Sequence, residues 1–330
     1  MQTSLIVTVD TEEEGLWSSD FRRDGYTVRN ISHVPRFQQL CDDFGLRPTY
    51  LIDTPVACDD DAVAILSAIQ EDERCEIGAH LHPWCAPPFE EETSRRNSYL
   101  CNLSPSLQMR KLSELTDTIE RRCGRRPTSF RAGRYGLDVV GSRCLEELGY
   151  LADSSVLTYY DYRHDGGPDF SDAPFQPYRI SEQRLTFPAA NGRMWEIPIS
   201  VGFNRPDFRR SALWHGRVRH PRLRRLHVPG ILDRLGILRR IKFSPEQADS
   251  ARLNKLADMY VANGAPCVVM LLHSSSLMPG CSPYVKDEAG LERFYSTLRK
   301  TFCYCRDTLG MPSATLSSFA QDLNAARPVV

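Results

Sequence analysis

The stretch EIGAHLHPW, Glu76 to Trp84, sets His80 and His82 two residues apart at the end of a β-type run. Side chains alternate along an extended chain, so the two imidazoles share a face. Near the N-terminus, TVDTE places Asp10 and Glu12 on one face by the same alternation. Two adjacent carboxylates repel each other unless a cation or a shared proton relieves them. Two neutral imidazoles with at least one carboxylate form the ligand set of a catalytic zinc, or a similar divalent ion, that keeps one position open for water. CVVMLLHS delivers His273 after an unbroken apolar stretch, and SFRAGRYG carries Arg131 and Arg134. Each residue also has a plain structural explanation. A strand-end Asp often caps a turn, His273 could be a satisfied core histidine, and the histidine pair could pack against Pro83 and Trp84. Those explanations do not account for ionisable groups at the ends of four separate strands.

Such residues act together only if a scaffold gathers the strand ends. Short β-rich runs alternate with helical patterns, the order of a parallel sheet or barrel of βα units, whose carboxyl ends point into the site. The expected strands are 4–10, 47–53, 75–82, 129–136, 150–155, 194–200 and 267–274. Between them, VPRFQQLCDDFG repeats apolar residues on one helical face and ends at Gly45. SPSLQMRKLSELTDTIERRCG has Ser104 to cap it, Pro105 at the first helical position and Gly124 to end it. LDVVGSRCLEELG, SPEQADSARLNKLADMYVANG and DEAGLERFYSTLRKTFCYCRDTLG repeat the scheme. Two stretches break it: 159–188, rich in Asp, Gly, Pro and Tyr, reads as loop over the mouth of the barrel, and 204–242 is dense in arginine.

The chain of 330 residues, 41% apolar with a formal charge of −1, reads as one globular α/β domain over 1–330, with 204–242 as a basic insertion and 311–330 as a C-terminal helix and tail. The charge balance implies no nucleic-acid partner, and the arginine-rich segment lacks a helix-turn-helix or zinc-finger frame. No signal peptide or bilayer-spanning run is visible, so a cytoplasmic location is expected. The arginines either pair with acids elsewhere or give peripheral contact with an anionic membrane surface, glycan or lipid-linked diphosphate. The eleven cysteines, without a CxxC pair, read as reduced thiols, Cys303 and Cys305 of FCYC included.

In chain order the constellation resembles the polysaccharide deacetylase family, also called the NodB-homology or carbohydrate esterase 4 family, and within it the branch found in cell-surface polysaccharide gene clusters. TVDTE, EIGAHLHPW, FRAGRYG, LADSS and LLHS stand where the family has its five motifs, spanning Thr8 to about Ser274. The resemblance implies a distorted (β/α)7 barrel and a divalent metal, zinc first. It implies Asp10 as general base, His80 as a metal ligand, Arg131 holding the catalytic carboxylate, Asp153 orienting the last histidine, and His273 as general acid. The region of Tyr135 would donate to the oxyanion, with Arg134 and Trp84 beside it against the substrate. Two departures stand out. Thr11 occupies the place of a second acid, and Trp84 stands four beyond His80 where a second histidine is usual. Glu12 and His82 are therefore read as ligands from strand alternation, with Asp10 an alternative ligand.

The expected reaction is metal-assisted removal of an N-acyl group, N-acetyl first, from an amino sugar of a cell-surface polysaccharide or its precursor, free, nucleotide-linked or lipid-linked. Its rivals are a metal-independent or small-molecule amidase on the same barrel, a non-catalytic glycan-binding barrel, and a HAD-like phosphotransferase. The last would need a second Asp where Glu12 stands and leaves HLH idle.

Overall fold

SLIVTVDT has no helical period and four successive β-branched residues, Ile6 to Val9, and it is buried along its whole length as strand β1 (Ser4–Thr11). The computed structural model describes residues 2–18, 21–218 and 236–326. The further strands are β2 (Thr49–Ile52), β3 (Glu76–Leu81), β4 (Ser129–Ala132), β5 (Ala152–Asp153), β6 (Tyr178–Arg179), β7 (Trp195–Glu196), β8 (Val201–Phe203), β9 (Arg240–Lys242), β10 (Cys267–His273) and β11 (Ser313–Ala314). A curled sheet runs β10-β1-β2-β3-β4-β5-β7-β6, parallel except for β6, and β11 joins the start of β1. All the expected strands form, most of them shorter than read from the sequence. The free edge of β10 has no regular ladder. Instead Ser200 Oγ accepts from Val269 N at 2.8 Å, and Leu271 N donates to Phe243 O at 3.1 Å. Ser200 and Phe243 flank the β8–β9 antiparallel pair.

The helices are α1 (Val34–Asp43), α2 (Thr54–Cys58), α3 (Asp60–Glu71), α4 (Pro105–Cys123), α5 (Val139–Glu147), α6 (Phe208–Val218), α7 (Ser250–Ala262), α8 (Glu288–Cys303) and α9 (Leu316–Ala325). Their ends follow the predicted chemistry. Ser104 accepts from Leu107 N at the start of α4, and Gly124 ends it at φ 74°, a left-handed conformation that glycine adopts without a Cβ clash. α7 differs from the sequence reading. Asp249 caps it, so Pro245–Gln247 stay outside the helix. None of the described helices is long and apolar enough to cross a membrane.

Strand alternation divides the core in two. Leu5, Val7 and Val9 pack outward under the helices, whereas Ile6 joins Leu51, Trp195, Val269 and the α9 residues Leu316 and Phe319 on the inner face. α9 thus closes the lower end of the inner face. Asp10 follows Ile6 and Thr8 on that face and emerges at the carboxyl end. The register places Asp10 opposite His273 and His80 opposite Arg131, so four of the predicted residues meet as two pairs, the second set two residues further along the strands. Of the basic segment, 219–235 lies outside the described residues, as do the last residues 327–330. The cysteines are free; Cys305 is buried and Cys303 exposed.

Candidate active site

The carboxyl ends of β1, β3, β4 and β10 open into a cleft of about 430 Å³ lined by Asp10, Glu12, His80, His82, Trp84, Arg134, Tyr135 and His273. Three of these converge. Glu12 Oε2 is 3.3 Å from His80 Nε2 and 3.5 Å from His82 Nε2, and the two nitrogens are 3.1 Å apart. His82 donates from Nδ1 to Glu13 Oε2 at 2.9 Å, the tautomer that leaves a lone pair on Nε2. Burial lowers His80 to about 3 and His82 to about 4, so both rings are neutral near pH 7. Glu12 moves the opposite way, raised well above the usual carboxylate range by burial and by Asp10, Glu13, Asp53 and Glu246. Glu12 Oε1 and His80 Nδ1 are buried without a hydrogen-bond partner. An orphaned carboxylate oxygen beside two converging imidazole nitrogens is the donor set a divalent cation completes, so these residues fit such an ion.

Behind His82 a second layer fixes its ring. Glu13 accepts from Trp84 Nε1 at 2.9 Å and from Cys85 Sγ at 3.6 Å, while Asp53 Oδ2 accepts from Glu13 N at 2.8 Å. Burial, with Glu13 beside it, raises Asp53 well above its ordinary range. Trp84 stacks on His82 with ring centroids 4.3 Å apart. Its face and its N–H are thus both engaged on the ligand side, and the residue expected against substrate also holds His82 in place. Gly133 completes the fit, because a Cβ there would meet His82 Cδ2 at 2.1 Å.

The other half of the site is an acid–base pair. Arg131, fully buried, donates from Nη1 to Asp10 Oδ1 at 2.6 Å and from Nε to Ser154 O at 2.8 Å. Burial alone would raise Asp10, but Arg131, with His80 and His273, brings it down to about 2. His273 Nε2 faces it, 3.8 Å from Asp10 Oδ2. The Nδ1 of His273 bonds Glu246 Oε2 at 2.9 Å, and Glu246 Oε1 accepts from His273 N at 2.9 Å and Ser276 Oγ at 2.7 Å. Here the structure corrects the sequence reading, since the acid on the last histidine is Glu246 and not Asp153. Asp153 lies under the site on the two-residue strand β5, accepts from Ser155 Oγ at 2.6 Å, and is raised by burial against the lowering effect of its bonds to Glu196 and Ser155. It helps to hold the floor below Arg131.

Arg134 and Tyr135 sit at φ 54° and 61°, a strained left-handed conformation for two successive side-chain-bearing residues. The turn aims both into the cleft. Arg134 pairs with Asp165, bonds Ser98 Oγ, and lies over the ring of Tyr99 at 4.2 Å. Tyr135 Oη accepts from Lys242 Nζ at 3.1 Å. Tyr160 and Tyr162 stack on each other at 5.9 Å along the same wall.

Four residues here escaped sequence reasoning: Glu13, Asp53, Lys242 and Glu246. Asp53 carried a usable signal, since it directly follows β2, two residues beyond the inward-facing Leu51. Glu246 carried only a weak one, an acid in FSPEQ directly after the arginine-rich stretch.

No protein-family model and no curated protein matches this sequence. Solved structures do. A Mycobacterium smegmatis protein described as a polysaccharide deacetylase aligns over 100% of this chain and 95% of its own, at TM-score 0.58 and 15% identity. A Parabacteroides distasonis protein described as a glycoside hydrolase/deacetylase aligns over 99% and 72%, at 0.60 and 12%. The 4-alpha-glucanotransferase of Thermococcus litoralis aligns over 97% and 40%, at 0.55 and 12%. At these identities the likeness is one of architecture, and the chain has the fold of the polysaccharide deacetylases.

Proposed function

We propose that this chain removes an N-acyl group, N-acetyl first, from an amino sugar, with a divalent metal held by Glu12, His80 and His82. The observation that carries this reading is the convergence of those three donors within one cleft that also holds the Asp10–Arg131 and His273–Glu246 pairs. Bound there, zinc or a similar ion would supply Lewis-acid polarisation of the amide carbonyl and lower the pKa of water toward neutrality. Asp10, kept ionised by Arg131, takes a proton from the attacking water. His273 delivers a proton to the departing amine, and Glu246 behind it orients the ring through Nδ1. The turn at Tyr135 presents backbone N–H to the developing oxyanion. The tyrosine wall suits the apolar face of a sugar ring. The substrate is an amino sugar of a cell-surface polysaccharide or its precursor, whether free, nucleotide-linked or lipid-linked.

The test is metal content by mass spectrometry alongside acetate release from N-acetylated sugars. Near-stoichiometric metal that is lost in both His80→Ala and His82→Ala, together with release by the wild type, is the expected result. A wild type that takes up neither zinc nor cobalt would remove the metal from the proposal.

A further inference from the structure

The two walls of the cleft differ in charge. On the sheet side Asp10 is paired with Arg131, Glu246 is bonded to His273, and Glu12 faces the proposed metal. Across the cleft positive charge is in surplus. Asp165 is the one acid shared by Arg95 and Arg134. Lys242, on β9, adds a further cation that is only 7% exposed and lines the same cleft. Its hydrogen-bond partner is the neutral phenol of Tyr135, and it makes no ion pair among the described residues. Glu246 attracts it from further away, but that carboxylate is engaged by His273 and Ser276. An ammonium withdrawn from water beside a neutral partner is costly, and an anion arriving with the ligand removes the cost. β9 fixes Lys242 opposite Val201, so the charge is held in place and does not sample the surface.

We propose that the substrate carries an anionic substituent, a carboxylate or a phosphate, close to its N-acyl group, and that Lys242 is the residue that selects for it. This deepens the deacetylase reading and rests on it. Arg134, already paired, frames the site on the side of Tyr135, and the stacked Tyr160 and Tyr162 cover the sugar face between them.

The experiment is calorimetric binding of three ligands to the full metal-loaded chain: N-acetylglucosamine, N-acetylglucosamine 1-phosphate, and the N-acetylated 2-amino-2-deoxyglucuronate. The wild type should bind at least one charged ligand roughly ten-fold or more tighter than the neutral sugar, the scale of one charge-assisted hydrogen bond. In Lys242→Met the charged-to-neutral ratio should fall toward one, and Lys242→Arg should keep most of it. Preference for the phosphate points to a sugar phosphate or a diphosphate-linked precursor, and preference for the carboxylate to a uronate. A wild-type ratio near one, or an unchanged ratio in a folded, metal-loaded Lys242→Met, overturns the proposal. Acetate release is read separately. A charge preference without turnover sinks the deacetylase reading, whereas turnover on neutral and charged sugars alike sinks only the charge selection.

Discussion

His82 bonds Glu13 through Nδ1 at 2.9 Å, and His273 bonds Glu246 through Nδ1 at 2.9 Å. By length the two pairs are the same, yet their surroundings set them to different tasks. Burial raises Glu13, whose charge is spread over the His82 ring, the Trp84 indole, Cys85 and Asp53. His82, itself lowered to about 4 by burial, stays neutral and offers a lone pair. Around Glu246 burial is outweighed by His273, Ser276 and Lys242, which lower its pKa and leave a full carboxylate behind a ring at the mouth of the cleft. On the proposed reading one pair therefore prepares a ligand and the other a proton donor. What separates them is how much negative charge the glutamate retains, not the hydrogen bond itself.

Exchanging the glutamates for glutamine should break this contrast into two distinct losses. Glu246→Gln, like His273→Ala, is expected to lower turnover by roughly 10²- to 10⁴-fold while metal content stays at the wild-type level. Loss of metal in either variant would contradict the division of labour. Glu13→Gln should do the reverse, weakening metal affinity by about 10- to 100-fold, as loss of a carboxylate behind a metal-bound histidine does. Competition with a chelator measures it, and an unchanged affinity would reduce Glu13 to packing.

The smallest effect concerns protons. His80 and His82 are already neutral above about pH 4, so the proton displaced by an incoming ion comes from Glu12, whose pKa is raised. Affinity should climb with pH by about ten-fold per unit below the pKa of Glu12, with about one proton released per ion. Titration in buffers of different ionisation enthalpy counts them, and release of two or three would mean that the imidazoles start out charged.

Residues at strand ends were legible because alternation has a period of two and the strands are parallel. Asp10, Glu12, His80, His82, Arg131 and His273 all share the cleft or its floor. Glu246 was hidden for a physical reason. SPEQ reads as the opening of a helix, but the Asp249 cap starts α7 later and frees Glu246 to reach back to His273. Asp153 misled in the opposite sense. Position in a motif says which strand a side chain ends, not which partner it meets, and β5 is only two residues long. Lys242 was lost among arginines in a segment where no period separates a cleft residue from a surface one.

The seam between β7 and β10 carries a wider meaning. There the sheet is stitched by Ser200 and Phe243 instead of a continuous ladder, and the β8–β9 pair between those two residues forms a sheet apart from the one that bears the candidate ligands. Substitutions on the β8–β9 pair therefore touch none of the ladders of β1, β3, β4 and β10. Because Lys242 ends β9 and Glu246 follows four residues later, such substitutions would also reach the proposed proton donor and the charge proposed to meet substrate. Specificity and rate would thereby be coupled through one small sheet, and laboratory libraries confined to the described residues of β8 and β9 would vary what the protein accepts while leaving intact the strands that carry its proposed chemistry.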